Sequence, residues 1–169
     1  ASDNTAIGGV ALLSNTTGAD NTAVGSGSLL TNSTGASNVA VGKDALKRNT
    51  TAANNVAVGI NSLCANTTGG GNVAIGCGAL CKNTTASGNV AVGREAGISN
   101  TTGANNTFIG ENALSNNTTA DSNVAVGMRA MVANTTGASN VATGKSALAA
   151  NTTGTQNTAA GHESALDLT

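Results

Sequence analysis

Apolar and polar positions recur along this chain with a fixed spacing. Asn stands at Asn4, Asn21, Asn38, Asn55, Asn72, Asn89, Asn106, Asn123, Asn140 and Asn157, a constant step of 17 residues. Each is followed four residues later by a glycine, from Gly8 to Gly161, and a second Asn recurs eleven residues after the first, from Asn15 to Asn151. The unit reads N-[VT]-A-[VI]-G-x-x-[AS]-L-x-x-N-T-T-[GA]-x-x, and its columns are numbered here one to seventeen. Nine complete units and a tenth partial one cover everything after Asp3, with no linker and no change in composition. Residues 1–169 therefore read as one repeat domain.

The columns choose between helix and strand. Asn, Thr, Gly and Val are mediocre or poor helix formers, and every unit carries Gly. Column two is Val or Thr, and column four is Val or Ile in eight of ten units. β-Branched residues at a period of two predict a short strand that the column-five Gly ends. The Asn-Thr-Thr tract predicts a second extended stretch followed by turn residues. A helical repeat needs roughly 33 residues for its pair of helices. Seventeen suffice for one coil of a narrow parallel β-solenoid, so the fold class is all-β, with two strands expected per coil.

Stacked coils turn each column into a ladder with a rise of about 4.8 Å. Columns four and nine carry the large side chains expected inside: Ile7, Val24, Val41, Val58, Ile75, Val92, Ile109 and Val126, with Leu12, Leu29, Leu46, Leu63, Leu80, Leu114 and Leu148. Columns one and twelve predict Asn ladders whose amides bond from coil to coil. Column three lies on the other strand face and is Ala in nine units and Phe108 in the tenth, without a charge. A strand apolar on both faces is usually covered on both. Ala6, Ala23, Ala40, Ala57, Ala74, Ala91, Phe108, Ala125 and Ala142 are therefore expected to line a homo-oligomer interface, where small side chains let partner backbones approach.

Composition narrows the function classes. Val, Leu, Ile and Phe supply only about 18% of the residues, too few for the broad core of an ordinary domain of this length. The net charge is −1, which leaves no basic excess for nucleic acid or an anionic membrane. No apolar run reaches the ~18 residues of a membrane span. The 15 charged residues avoid columns one to five, so recognition by a partner is expected at the edges: Lys43, Asp44, Arg94, Glu95, Glu111, Arg129 and Lys145 in columns six and seven.

Candidate chemistry is sparse. His162 is the single histidine and has only Glu163 beside it, which makes neither a triad nor a metal site. Cys64 and Cys81 share column ten of adjacent coils, and Cys77 stands in column six. Stacked one coil apart, the pair approaches disulfide geometry, although in-register parallel strands hold sulfurs awkwardly, and half-buried thiols are the expected state. There is no phosphate-binding glycine loop and no Asp-bearing calcium nonapeptide. No enzyme, cofactor or metal is expected. The Asn-[Thr/Ser]-Thr tracts match the glycosylation pattern, but they follow from the ladder itself. In the last unit Ala160 replaces Val, and Gly161-His-Glu-Ser-Ala-Leu166 reads as carrying one extra residue.

The N-V-A-V-G segments at Asn38–Gly42, Asn55–Gly59, Asn89–Gly93 and Asn123–Gly127 resemble the head repeats of trimeric autotransporter adhesins, the YadA-like left-handed parallel β-roll. The longer unit, from Asn38-Val-Ala-Val-Gly-Lys-Asp-Ala-Leu to Asn49-Thr-Thr, is similar to 17-residue repeats in fibre proteins of bacteriophages and large viruses, and the period favours that branch. The resemblance spans essentially the whole chain. It implies a left-handed roll, a side-by-side homotrimer, an extracellular place on a virion or bacterial surface, and attachment to a host glycan, a receptor protein or matrix. It also implies that the chain is a segment of a longer fibre. The alternative is an ice-binding solenoid displaying threonine. Adjacent residues on a strand face opposite ways, so Thr-Thr in columns thirteen and fourteen offers one outward rank only.

Overall fold

The computed structural model describes residues 1–168, so the last residue of the repeat region lies outside it. Ten three-residue strands follow one another: β1 (Thr5–Ile7), β2 (Thr22–Val24), β3 (Val39–Val41), β4 (Val56–Val58), β5 (Val73–Ile75), β6 (Val90–Val92), β7 (Thr107–Ile109), β8 (Val124–Val126), β9 (Val141–Thr143) and β10 (Thr158–Ala160). They form one parallel sheet in sequence order, each paired only with its neighbours. The register is the repeat itself, with Ala40 opposite Ala57 and Val41 opposite Val58. The protein is an all-β solenoid of about nine turns. At one strand spacing per coil, the sheet extends about 43 Å.

Each coil holds one strand, not two. The Asn-Thr-Thr tract is held differently: the N–H groups of Thr16, Thr17 and Gly18 converge on the carbonyl of Ser33 at 2.9, 3.1 and 3.4 Å. Converging donors bend the chain, where a second ladder would need evenly spaced bonds. The rest of the coil keeps its axial bonds through alternating backbone handedness. Column seven and column nine have positive φ, as at Asp44 (57°) and Leu46 (49°). The Asp44 N–H therefore reaches back to Ser26 at 2.9 Å, while the Leu46 N–H reaches forward to Ser62 at 3.0 Å. A left-handed residue with a side chain costs about 1–2 kcal/mol. Complete burial of a leucine, worth about 1.5–3 kcal/mol, offsets that at column nine.

The core reverses one expectation. Column nine is inside, but column four is not. The interior is built from the column-nine leucines, the small residues of column eight, and column three: Ala23, Ala40, Ala57, Ala74, Ala91, Phe108, Ala125 and Ala142 are fully buried within the single chain. Only Ala6, in the first coil, is exposed. These residues cannot line an oligomer interface, because their side chains meet the same chain's core. The reason is width. A 17-residue coil leaves room for one leucine per turn, and the strand facing it must supply no more than a methyl group.

The two Asn ladders pin the coil closed. In the second coil, Asn21 and Asn32 both donate to the Gly35 carbonyl at 2.9 Å, bracing the turn from two sides. Their other amide hydrogens reach the preceding coil, at Asn4 Oδ1 (3.1 Å) and Asn15 Oδ1 (3.0 Å). Both donors of each amide are thus used, which is what allows so polar a residue to be buried. From Asn32 to Asn151, column-twelve asparagines have no free amide hydrogen for a sugar, whereas Asn15 in the first coil donates only to Gly18 O, at 2.9 Å. Among the described residues, the single buried side-chain atom without a partner is Asn151 Oδ1, where Leu168 takes the next place in the column.

Column five admits only glycine. A Cβ on Gly59, whose φ is +130°, would lie 2.6 Å from the Gly76 carbonyl oxygen and 2.7 Å from its carbon. The last unit contains no extra residue. Leu148 N–H bonds to Ser164 at 3.0 Å, the same bond that Leu46 makes to Ser62, so Ala165 occupies the leucine column, with φ of 49°.

Candidate interaction surface

With column three inside, columns two and four face outward. Their burial runs intermediate or exposed on either side of a buried centre in every strand from β2 to β10. Ile75 is 41% exposed and Val92 36%, while Val39, Val41, Val56 and Val58 are half-buried by their neighbours in the stack. Two ranks of β-branched side chains thus run along the sheet, about 7 Å apart across each strand. The strip carries no charge, and its polar members are the threonines Thr5, Thr22, Thr107, Thr143 and Thr158. Single exposed apolar residues are ordinary, but a contiguous apolar strip marks a contact surface.

The column-five glycines form a smooth margin beside this strip, and column six stands beyond them. Lys43, Arg94, Glu111 and Lys145 are exposed there, with Arg129 exposed and Asp44 and Glu95 half-buried in column seven. The structure brings some of these together. Lys47 pairs with Asp44 at 3.2 Å, and Arg94 bridges Glu95 at 3.2 Å and Glu111 of the next coil. The hydrogen bond to Glu111 raises the affinity of Arg94 for its proton. Lys43, Arg129 and Lys145 lie apart, so the charged candidates form a discontinuous edge. His162 faces solvent, 3.4 Å from Glu163. No pocket and no metal-ligating cluster of three occur among the described residues.

The two threonine columns face different ways, although the tract is a bend and not a strand. Column-thirteen hydroxyls are used internally, as where Thr50 Oγ1 donates to Thr67 O at 3.0 Å and Thr67 Oγ1 to Thr84 O at 3.0 Å. Column fourteen, from Thr17 through Thr85 to Thr153, is exposed in all nine coils as a single rank.

Two of the three thiols sit on a third face. Cys64 and Cys81 are half-buried in column ten, and Cys77 is exposed in column six. The neighbouring Cys81 thiol, helped by Arg48 and Lys47 and opposed by burial and Asp44, lowers the Cys64 pKa to about 6. The neighbouring Cys64 sulfur and burial push the Cys81 pKa up.

The outward apolar strip was the feature that sequence reasoning missed. Its signal was present: hydroxyl-bearing Thr appears five times in columns two and four and never in column three. No family model, no curated protein and no solved structure matches the chain.

Proposed function

We propose that this protein is a non-catalytic, trimeric fibre segment that forms a stiff rod for attachment to a host surface or matrix, outside the cell or on a virion. The observation that carries this reading is the uncharged strip of columns two and four, continuous over ten strands on a sheet whose other face is already filled. Three copies laid side by side in parallel would cover three such strips around one axis. The charged edge and the threonine rank then point outward, where a host-surface glycan or protein receptor meets them, and weak contacts repeated along three chains add avidity. The Asn ladders and the axial backbone bonds supply the stiffness.

Light scattering behind size exclusion tests this on the whole chain. The expected mass is three times the 16.0 kDa of one chain. Replacing Val58 and Val92 together by Lys should reduce the particle to a folded monomer with an unchanged circular dichroism spectrum. A monomeric wild-type chain, or a double variant that keeps the wild-type mass, overturns the reading.

A second reading rests on the exposed column-fourteen rank, Thr17 to Thr153. As an ice-binding face it would present one hydroxyl row. A millimolar solution without thermal hysteresis or crystal shaping removes it.

A further inference from the structure

Column ten stacks Lys47, Cys64, Cys81 and Ile98 in four successive coils. The stack is in register, because Arg48 N–H bonds to Cys64 O at 3.2 Å and Ala65 N–H to Cys81 O at 3.0 Å. Equivalent Cα atoms one coil apart are separated by about 4.8 Å. That falls within the span of roughly 4.4–6.8 Å that a disulfide bridges. The two thiols are close enough to shift each other's protonation in opposite directions. Both are half-buried, which shields them from large reagents and leaves them open to small ones.

We propose that Cys64 and Cys81 are a redox pair that closes into an inter-coil disulfide by exchange with a low-molecular-weight disulfide. The Cys64 thiolate attacks one sulfur of the small disulfide, whose S–S bond breaks and releases one small thiolate. Cys81 then gives up its proton to that thiolate, and its sulfur attacks Cys64 Sγ in the mixed disulfide. The second small thiolate leaves and takes the proton that Cys64 lost to solvent. Two protein thiols are oxidised, and one small disulfide is reduced to two small thiols.

The roles follow from the surroundings. Cys64 lies next to the Lys47 ammonium in its own column and the Arg48 guanidinium in the next, with Asp44 partly opposing them. Positive charge favours the thiolate, which is the attacking species. Cys81 is held protonated mainly by the neighbouring Cys64 sulfur. Once Cys64 is tied up as a mixed disulfide, that restraint is gone and Cys81 becomes competent to attack. The product clasps the fourth and fifth coils at mid-rod by closing a loop of one repeat. In an oxidising extracellular setting such a clasp persists.

The test uses the 169-residue chain with oxidised glutathione as the probe, read by intact mass and thiol counting. Cys77→Ser removes the third thiol. Ser115 already stands in column ten of the seventh coil, so Cys64→Ser and Cys81→Ser are compatible with the stack. The expected result is that Cys77→Ser loses the mass of two hydrogens and all free thiol, with a higher urea midpoint. Cys81→Ser should instead stop at a glutathione adduct on Cys64, and Cys64→Ser should react at least tenfold more slowly. A Cys77→Ser chain that stays reduced, or that accumulates glutathione adducts without closing, overturns the proposal.

Discussion

The ring of Phe108 occupies the space that Gly97 vacates. Column nine is leucine in most coils, but Gly97 stands there in the sixth, and in the seventh coil column three carries Phe where every other coil has Ala. A Cβ placed on Gly97 would lie 3.1 Å from Phe108 Cδ2 and 3.1 Å from Leu80 Cδ2. The large and small partners across the narrow core have exchanged places between adjacent coils, and the two coils together keep their volume.

That exchange predicts a double-mutant cycle. Phe108→Ala alone opens a cavity and should cost about 3–5 kcal/mol. Gly97→Leu alone overfills the core and should cost about 1–3 kcal/mol, although the backbone there, with φ of 59°, already matches that of the column-nine leucines. Together they rebuild the repeat consensus, so urea denaturation should give a double variant more stable than either single one. Additive losses would dissolve the pairing.

The Asn ladder predicts a dependence on position. Asn72 accepts the Asn89 N–H at 3.0 Å and donates to Asn55 Oδ1 at 3.2 Å and Ala86 O at 2.9 Å. Asn72→Ala leaves buried groups unpaired and should cost about 3 kcal/mol or more. Asn4→Ala, at a half-buried terminal rung, should cost clearly less in the same thermal melts. Asn72→Asp places a carboxylate against two acceptors, which raises its folded-state pKa. Its stability should therefore be greatest below about pH 4 and fall as the pH rises, as denaturation at several pH values will report.

Two glycines with positive φ separate sterics from strain. Gly59→Ala meets the next coil's backbone, whereas a Cβ on Gly71, at φ of +66°, finds nothing within 4 Å. Gly71→Ala should cost about 1–2 kcal/mol from its backbone conformation alone. Gly59→Ala should cost several times that or prevent folding, measured as soluble yield and melting temperature.

Thiol reactivity should follow protonation. In the Cys77→Ser background, alkylation of Cys64 by iodoacetamide should rise with pH through a midpoint near 6, the value to which Cys81, Arg48 and Lys47 lower it against Asp44. Lys47→Gln removes part of the favourable charge, so the midpoint should move upward. An unchanged midpoint would detach Lys47 from the site.

The repeat length, the strand at columns two to four, the leucine core and both Asn ladders were legible in the sequence, because each is a statement about one column. The direction in which a column faces was not. Alternation assigns Val39 and Val41 to one side and Ala40 to the other without saying which side is inside, and the habit of placing larger residues inward fails when the interior is one leucine wide. Two residues carried the answer: Phe108, whose size has its counterpart in Gly97, and Thr143, whose hydroxyl belongs in water. The second strand was misread because Thr50 and Thr51 have strand propensity, yet their N–H groups converge on the single carbonyl of Thr67. The outward apolar face was consequently placed one residue away from where it lies.

The unbroken step of 17 between asparagines makes the molecule a graduated ruler. One added residue would bulge out of its coil or set that coil's strand one residue out of register with its neighbour, uncoupling both amide stacks at that point. Loss or gain of a whole unit would join Asn to Asn again without a seam. Length in such a chain is inherited in fixed increments of about 4.8 Å, so reach can be retuned by duplication while each cross-section stays the same.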